Sequence, residues 1–146
     1  MAAFTFHHAA LYPLINNLKN AHAFVTKGYE YAKAHNIDPN DFLTARLYPD
    51  MLDFTYQVQS FTDSAKAIPN RVNPAVENID IPKEEKTFPE LLARIEKTIE
   101  YLEGIDPNSF EGREGADVPV KFRDGTLQLT FTAVDYVMQM AHPNYW

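Results

Sequence analysis

Residues 118–146 read VPVKFRDGTLQLTFTAVDYVMQMAHPNYW, and a change of period inside that stretch decides the fold. Residues alternate in character over Val118–Phe122 and Thr126–Phe131, the period of two expected of strands. Asp124-Gly125 between them supplies the residue types that tolerate positive φ in a tight hairpin turn. At Thr132 the period lengthens. Thr132-Ala-Val-Asp135 has the form of a capping box, and Val134, Val137, Met138 and Ala141 then recur at helical spacing. Pro143 is expected to kink this last helix. Counted to Trp146, it spans only roughly 22 Å at about 1.5 Å per residue, which is about half the length available to the first helix.

Working outward from that stretch, three further helices are expected. Thr87-Phe-Pro-Glu90 is a second capping box, and helix three follows it to about Glu103 with Leu91, Leu92, Ile95, Ile99 and Leu102 inward and Gly104 as its stop. Helix one runs from Thr5 to about His35, because Leu11, Leu14, Ile15, Leu18, Ala21, Phe24, Val25 and Tyr29 line one face. Pro13 marks either a kink in it or its true first turn. Asp38-Pro39-Asn40-Asp41 and Tyr48-Pro49 punctuate a connector from Asn36 to Pro49. Helix two is expected to begin near Asp50, with Met51, Phe54, Val58, Phe61, Ala65 and Ile68 on its apolar stripe, and to fade by Asn70. Pro74, Pro82 and several acids make residues 72–86 an irregular, solvent-exposed crossing. The expected architecture is an all-α up-and-down four-helix bundle, with a β-hairpin before a shortened helix four, in one domain over residues 1–146.

Composition removes several function classes. The chain has 146 residues, of which 45% are hydrophobic, enough to build a core. Its 20 acidic and 13 basic residues give a net charge of -7, which repels a phosphate backbone, so nucleic acid is not an expected partner. With no cysteine there is no disulfide, thiol nucleophile or zinc-thiolate site, and the cytoplasm is the expected compartment. No stretch approaches the roughly 18 apolar residues of a membrane span. Ser-His-Asp order, a phosphate-cradling glycine loop and a dinucleotide fingerprint are also absent, so no cofactor is expected.

The blocks ARLYPDM (45–51), QVQSFTDSAK (57–66), KTFPELLARIEKTIEYLEGIDP (86–107) and HPNYW (142–146), taken in order, resemble an uncharacterised branch of the DinB/YfiT-like superfamily. Fungal members of that branch often carry the label "helix-turn-helix-domain containing protein type". The resemblance covers essentially the whole chain and implies the same four-helix fold. Members resembling this chain continue past the Pro-Asn-aromatic block through a further helical segment. Its absence implies either a shortened chain or a core completed in another way. In metal-binding DinB-like proteins, one histidine on helix two and a His-x-x-x-His pair on helix four hold a divalent ion. Here helix two has no histidine, Asn144 stands where the first of the pair would lie, and the second would fall just beyond Trp146. The departure implies a metal-free protein.

The remaining candidates are polar groups that could face a cavity between the helices. His7-His8, His22 and His35 read as surface or capping residues. His142, next to the expected kink, or Asp63 is the candidate acid/base group, with Tyr136 or Gln57 orienting. Gln57, Asp63 and Lys66 form a polar patch on helix two, either a surface ion pair or the polar edge of a ligand pocket. Tyr12, Asp50, Phe54, Gln57, Tyr136, Asn144 and Tyr145 are the candidate ligand-binding residues. The leading expectation is a bundle that binds a small aromatic or apolar molecule. One alternative is a cofactor-independent isomerase, cyclase or dehydratase of small metabolites. Another is a homodimer, in which a second copy covers apolar surface left open by the short last helix.

Overall fold

The computed structural model of the protein describes residues 4–145, the Arg123 side chain excepted. Helix α1 is Phe6–Ala34. Thr5 caps it, its side chain accepting the His8 N–H at 3.1 Å. Pro13 lies inside the helix, which passes through it without ending. At the other end Asn36 takes a left-handed φ of 54°, and the Ile37 and Asn36 N–H groups close onto the carbonyls of Ala32 and Lys33 at 2.9 and 3.3 Å. This is a Schellman ending with asparagine in the place glycine usually holds.

Helix α2 is Phe54–Val72, so it starts later and ends later than the sequence pattern implied. Asp53, not Asp50, is its cap, accepting the Tyr56 N–H at 2.9 Å. Tertiary bonds decide between the two acids, since the Phe54 N–H goes to the Ala45 carbonyl and the Thr55 N–H to that of Leu43. Met51 therefore belongs to the connector. Helix α3 is Phe88–Glu103, with Thr87 at its start and Gly104 at its end. The reciprocal capping bond falls one residue earlier than expected: Glu90 Oε2 accepts the Lys86 N–H at 2.7 Å. That bond, with the Thr87 hydroxyl, holds the Glu90 carboxyl below its ordinary range.

Strands β1, Asp117–Phe122, and β2, Leu127–Thr132, pair antiparallel, with Asp117 opposite Thr132 and Phe122 opposite Leu127. Asp124 and Gly125 carry the turn at φ 54° and 87°. Two strands alone are marginal in water, and this pair is anchored by Val118 and Val120, both buried in the core. The last helix, α4, covers residues 133–145. It opens with an α-helical turn, Ala133–Asp135, winds as a π-helix over Tyr136–Ala141, and closes with His142–Tyr145. The irregularity expected at Pro143 thus appears just before it, where the His142 N–H reaches back five residues to the Val137 carbonyl. Trp146, the expected end of this helix, lies outside the described residues.

The core lies where α1 and α2 pack on α3 and where α4 and the hairpin close one end. Leu11, Leu14, Leu18, Ile68, Leu91, Ile95, Leu102 and Phe110 are fully enclosed, each worth about 1.5–3 kcal/mol relative to exposure. Residues 73–87 do not run free over this surface as expected. Ile81 is buried, the Tyr101 hydroxyl donates to the Glu77 carbonyl at 2.8 Å, and Lys66 Nζ donates to the Ile79 carbonyl at 3.1 Å. Among the described residues, no helix is long and apolar enough to cross a membrane.

Candidate functional site

The candidate residues do not converge on one cavity. They fall at three separate places. The first is an ion-pair cluster between α2 and α3. Arg94, only 2% exposed, donates from Nη2 to Asp63 Oδ1 at 2.6 Å, from Nε to the Thr62 hydroxyl at 2.7 Å and from Nη1 to Glu85 Oε1 at 2.8 Å. The same Nη1 also reaches the Ile81 and Pro82 carbonyls at 3.1 and 2.9 Å. The second Asp63 oxygen meets Lys83 Nζ at 2.9 Å, and Lys66 stands 3.7 Å from the first. Both oxygens of the proposed acid/base carboxylate are thus occupied by cations. A buried guanidinium with all three nitrogens hydrogen-bonded has the character of a strut.

The second place is the junction of α4 with the start of α1. His142 donates from Nε2 to the Ala10 carbonyl at 2.9 Å, one residue past Ala9, whose carbonyl would have taken the N–H that Pro13 lacks. Tyr136 and Tyr145 are buried in this region. Burial raises both phenols, Tyr145 to about 12, and Arg71 opposes the rise at Tyr136. Tyr145 meets the Phe61 ring edge-on at 5.8 Å. Tyr12 is exposed and stacks on His8 at 4.5 Å. Asn144 is also exposed, its Nδ2 donating to the Met140 carbonyl at 2.8 Å.

Helix α2 has no histidine, and the His142 Nε2 is spent on the Ala10 carbonyl. Among the described residues, no three His, Cys, Asp or Glu side chains gather as a metal site requires.

The third place is an apolar groove of about 700 Å³ at the other end of the bundle. Residues 36–53 leave the Schellman end of α1, fold over the helix ends and return at Asp53. Leu43 is the buried anchor of this roof. Arg46 Nη1 donates to the Met51 carbonyl at 2.8 Å, and Gln57 Nε2 donates to that of Leu52 at 3.2 Å. The groove floor is aromatic: Phe88, 3% exposed, stacks on Phe54 at 5.6 Å, and outside the lining Tyr29 stacks on Phe88 at 5.6 Å with Lys33 Nζ 4.7 Å from its ring. Its walls include Phe24 and Leu47, 64% and 91% exposed.

Of the candidate ligand-binding residues, Phe54 and Gln57 line this groove. Asp50 is exposed in the roof, between the lining residues Leu47 and Met51. Tyr12, Tyr136, Asn144 and Tyr145 belong to the α4 junction instead. Phe24, Leu47 and Arg46 also line the groove, and their sequence pattern does not mark them for it. Phe24 was counted as core because its spacing fits the apolar stripe, yet the roof stops short of covering it.

The sequence over residues 6–146 matches the family described as a domain of unknown function (DUF1993). Among solved structures, the fold matches the crystal structure of a DinB family member protein from Shewanella denitrificans. The TM-score is 0.81 at 23% identity, over 95% of this chain and 77% of that one. The DinB-like helical bundle implied by the sequence blocks is therefore the observed fold, in an uncharacterised branch. No match is found among curated proteins. At this identity the likeness carries the fold and nothing about activity.

Proposed function

Because the chain belongs to the DUF1993 family of unknown function, we propose a role from the groove itself: the protein binds a small apolar or aromatic molecule beneath the 36–53 roof, without a metal. One observation carries this reading. Large apolar side chains, Phe24 and Leu47 foremost, stand open to water around a preformed concavity whose floor is a stack of rings. Leaving such surface wet is costly, and it marks places where another molecule sits. A volume of about 700 Å³ suits a small metabolite or drug-sized body. Neither His142 nor Asp63 lines the groove, so acid/base turnover by either forms no part of the proposal.

Binding of the uncharged solvatochromic dye Nile red tests it. The protein should bind the dye saturably, and Phe24→Ser with Leu47→Ser should weaken binding at least about tenfold, or about 1.4 kcal/mol. Both side chains are exposed, so unfolding midpoints should stay near wild type. Unchanged dye affinity in the double variant would remove the groove as the site.

A further inference from the structure

Resting on the reading that the groove holds a small molecule, we propose that its occupant is a single-chain amphipathic anion. Its alkyl or aryl body lies on the aromatic floor, and a carboxylate or like head group meets Lys27 and Arg46. The protein as a whole is acidic, with a net charge of -7. The charged side chains lining the groove nevertheless have the opposite sign: they are Lys27 and Arg46, and no carboxylate is among the lining residues. Lys27 is exposed and takes part in none of the ion pairs among the described residues.

Arg46 spends Nη1 on the Met51 carbonyl. Its Nε and Nη2 groups make none of the hydrogen bonds found among the described residues, and together they present the edge of a guanidinium fork, which matches a carboxylate. Gln57 is already turned to the Leu52 carbonyl, so it offers the roof support more than it offers a ligand. Two cations beside an apolar wall attract an anion more strongly than the same charges surrounded by water on every side. A neutral apolar molecule would use the floor and leave the cations idle, while a cationic one would be repelled. The complementarity is therefore to a molecule with one greasy end and one negative end.

Calorimetric titration of the full chain with decanoate, decanol and decylamine, all as monomers, tests the head group at constant chain length. Decanoate should bind at least about tenfold tighter than decanol, with decylamine weakest. Lys27→Glu should remove that advantage while the unfolding midpoint stays near wild type.

Equal affinity for decanoate and decanol would overturn the head-group assignment while the groove reading stands. A decanoate preference that survives Lys27→Glu would equally overturn the role given to Lys27. Failure of all three ligands would overturn the groove reading and this inference with it. Sedimentation with vesicles of anionic phospholipid, without binding of free decanoate, would replace the monomeric ligand by a bilayer. Concentration-dependent dimerisation that Leu47→Asp abolishes, again without ligand binding, would assign the groove to a second copy of the chain.

Discussion

The Arg94 guanidinium sits 2.6 Å from the Asp63 carboxylate, with Arg94 enclosed in the bundle and Asp63 at its edge. The pair joins α3 to α2, and through Glu85 and the Ile81 and Pro82 carbonyls it also holds the crossing between those helices. Its geometry shows how a charged residue is accommodated where spacing, three residues after Leu91 and four before Thr98, puts it on the buried face of α3.

Replacing Arg94 by methionine fills much the same volume but leaves Asp63 and Glu85 without their shared cation. Arg94→Met should lower the unfolding free energy by about 3–5 kcal/mol, the usual cost of stranding one half of a buried ion pair. Arg94→Lys should recover only part of it, since an ammonium cannot reproduce the planar fork. Urea titration measures both, and a methionine variant within about 1 kcal/mol of wild type would discard the strut role.

His142→Ala removes the donor to the Ala10 carbonyl and should cost about 1 kcal/mol, as for one neutral hydrogen bond. Nile red affinity should be untouched, because His142 does not line the groove. Loss of ligand binding at unchanged stability would restore His142 to a functional role.

The His7 imidazole lies against Phe110, ring centroids 5.3 Å apart, and its Nε2 donates to the Ile105 carbonyl at 3.1 Å. Burial lowers its pKa below the ordinary 6.5, with the neighbouring His8 adding to the shift and the Ile105 bond and Asp106 opposing it. The folded state thus prefers neutral His7. Its contribution to stability is complete above the unfolded value and is lost as pH falls through 6.5 toward the lower folded value. His7→Gln keeps a donor but does not titrate. Between about pH 7.5 and about pH 5.5, wild type should therefore lose more unfolding free energy than the variant. Parallel profiles would refute the assignment.

Local chemistry carried much of this structure into the sequence. Thr87 and Thr132 announce their helices because a cap is a bond within four residues. Asp124-Gly125 announces the hairpin because only certain residues accept positive φ. The start of α2 was misplaced because Asp50 and Asp53 are equally good caps, and the choice rests on the carbonyls of Leu43 and Ala45, far from either in kind if not in sequence.

The site was harder to read. Arg94 finds its carboxylates 31 and 9 residues away, a distance at which spacing says nothing. Phe24 obeys the apolar period of α1, yet periodicity reports a face and not whether anything covers it. Phe54 and Gln57, singled out for aromatic and polar character on helix two, line the groove because they sit at the start of α2, where the floor and the roof meet. Tyr12, Tyr136, Asn144 and Tyr145 were grouped with them on aromatic or polar character alone, which does not distinguish the two ends of a bundle.

The contact between His142 and Ala10 joins positions 132 residues apart, near opposite limits of the described chain. A pull applied between residues 5 and 145 would pass through that junction before it reached the packing of α1 on α3. Such a pull would load the packing of α4 on α2 and the His142 bond to the opening turns of α1 together, at the end of the bundle away from the groove.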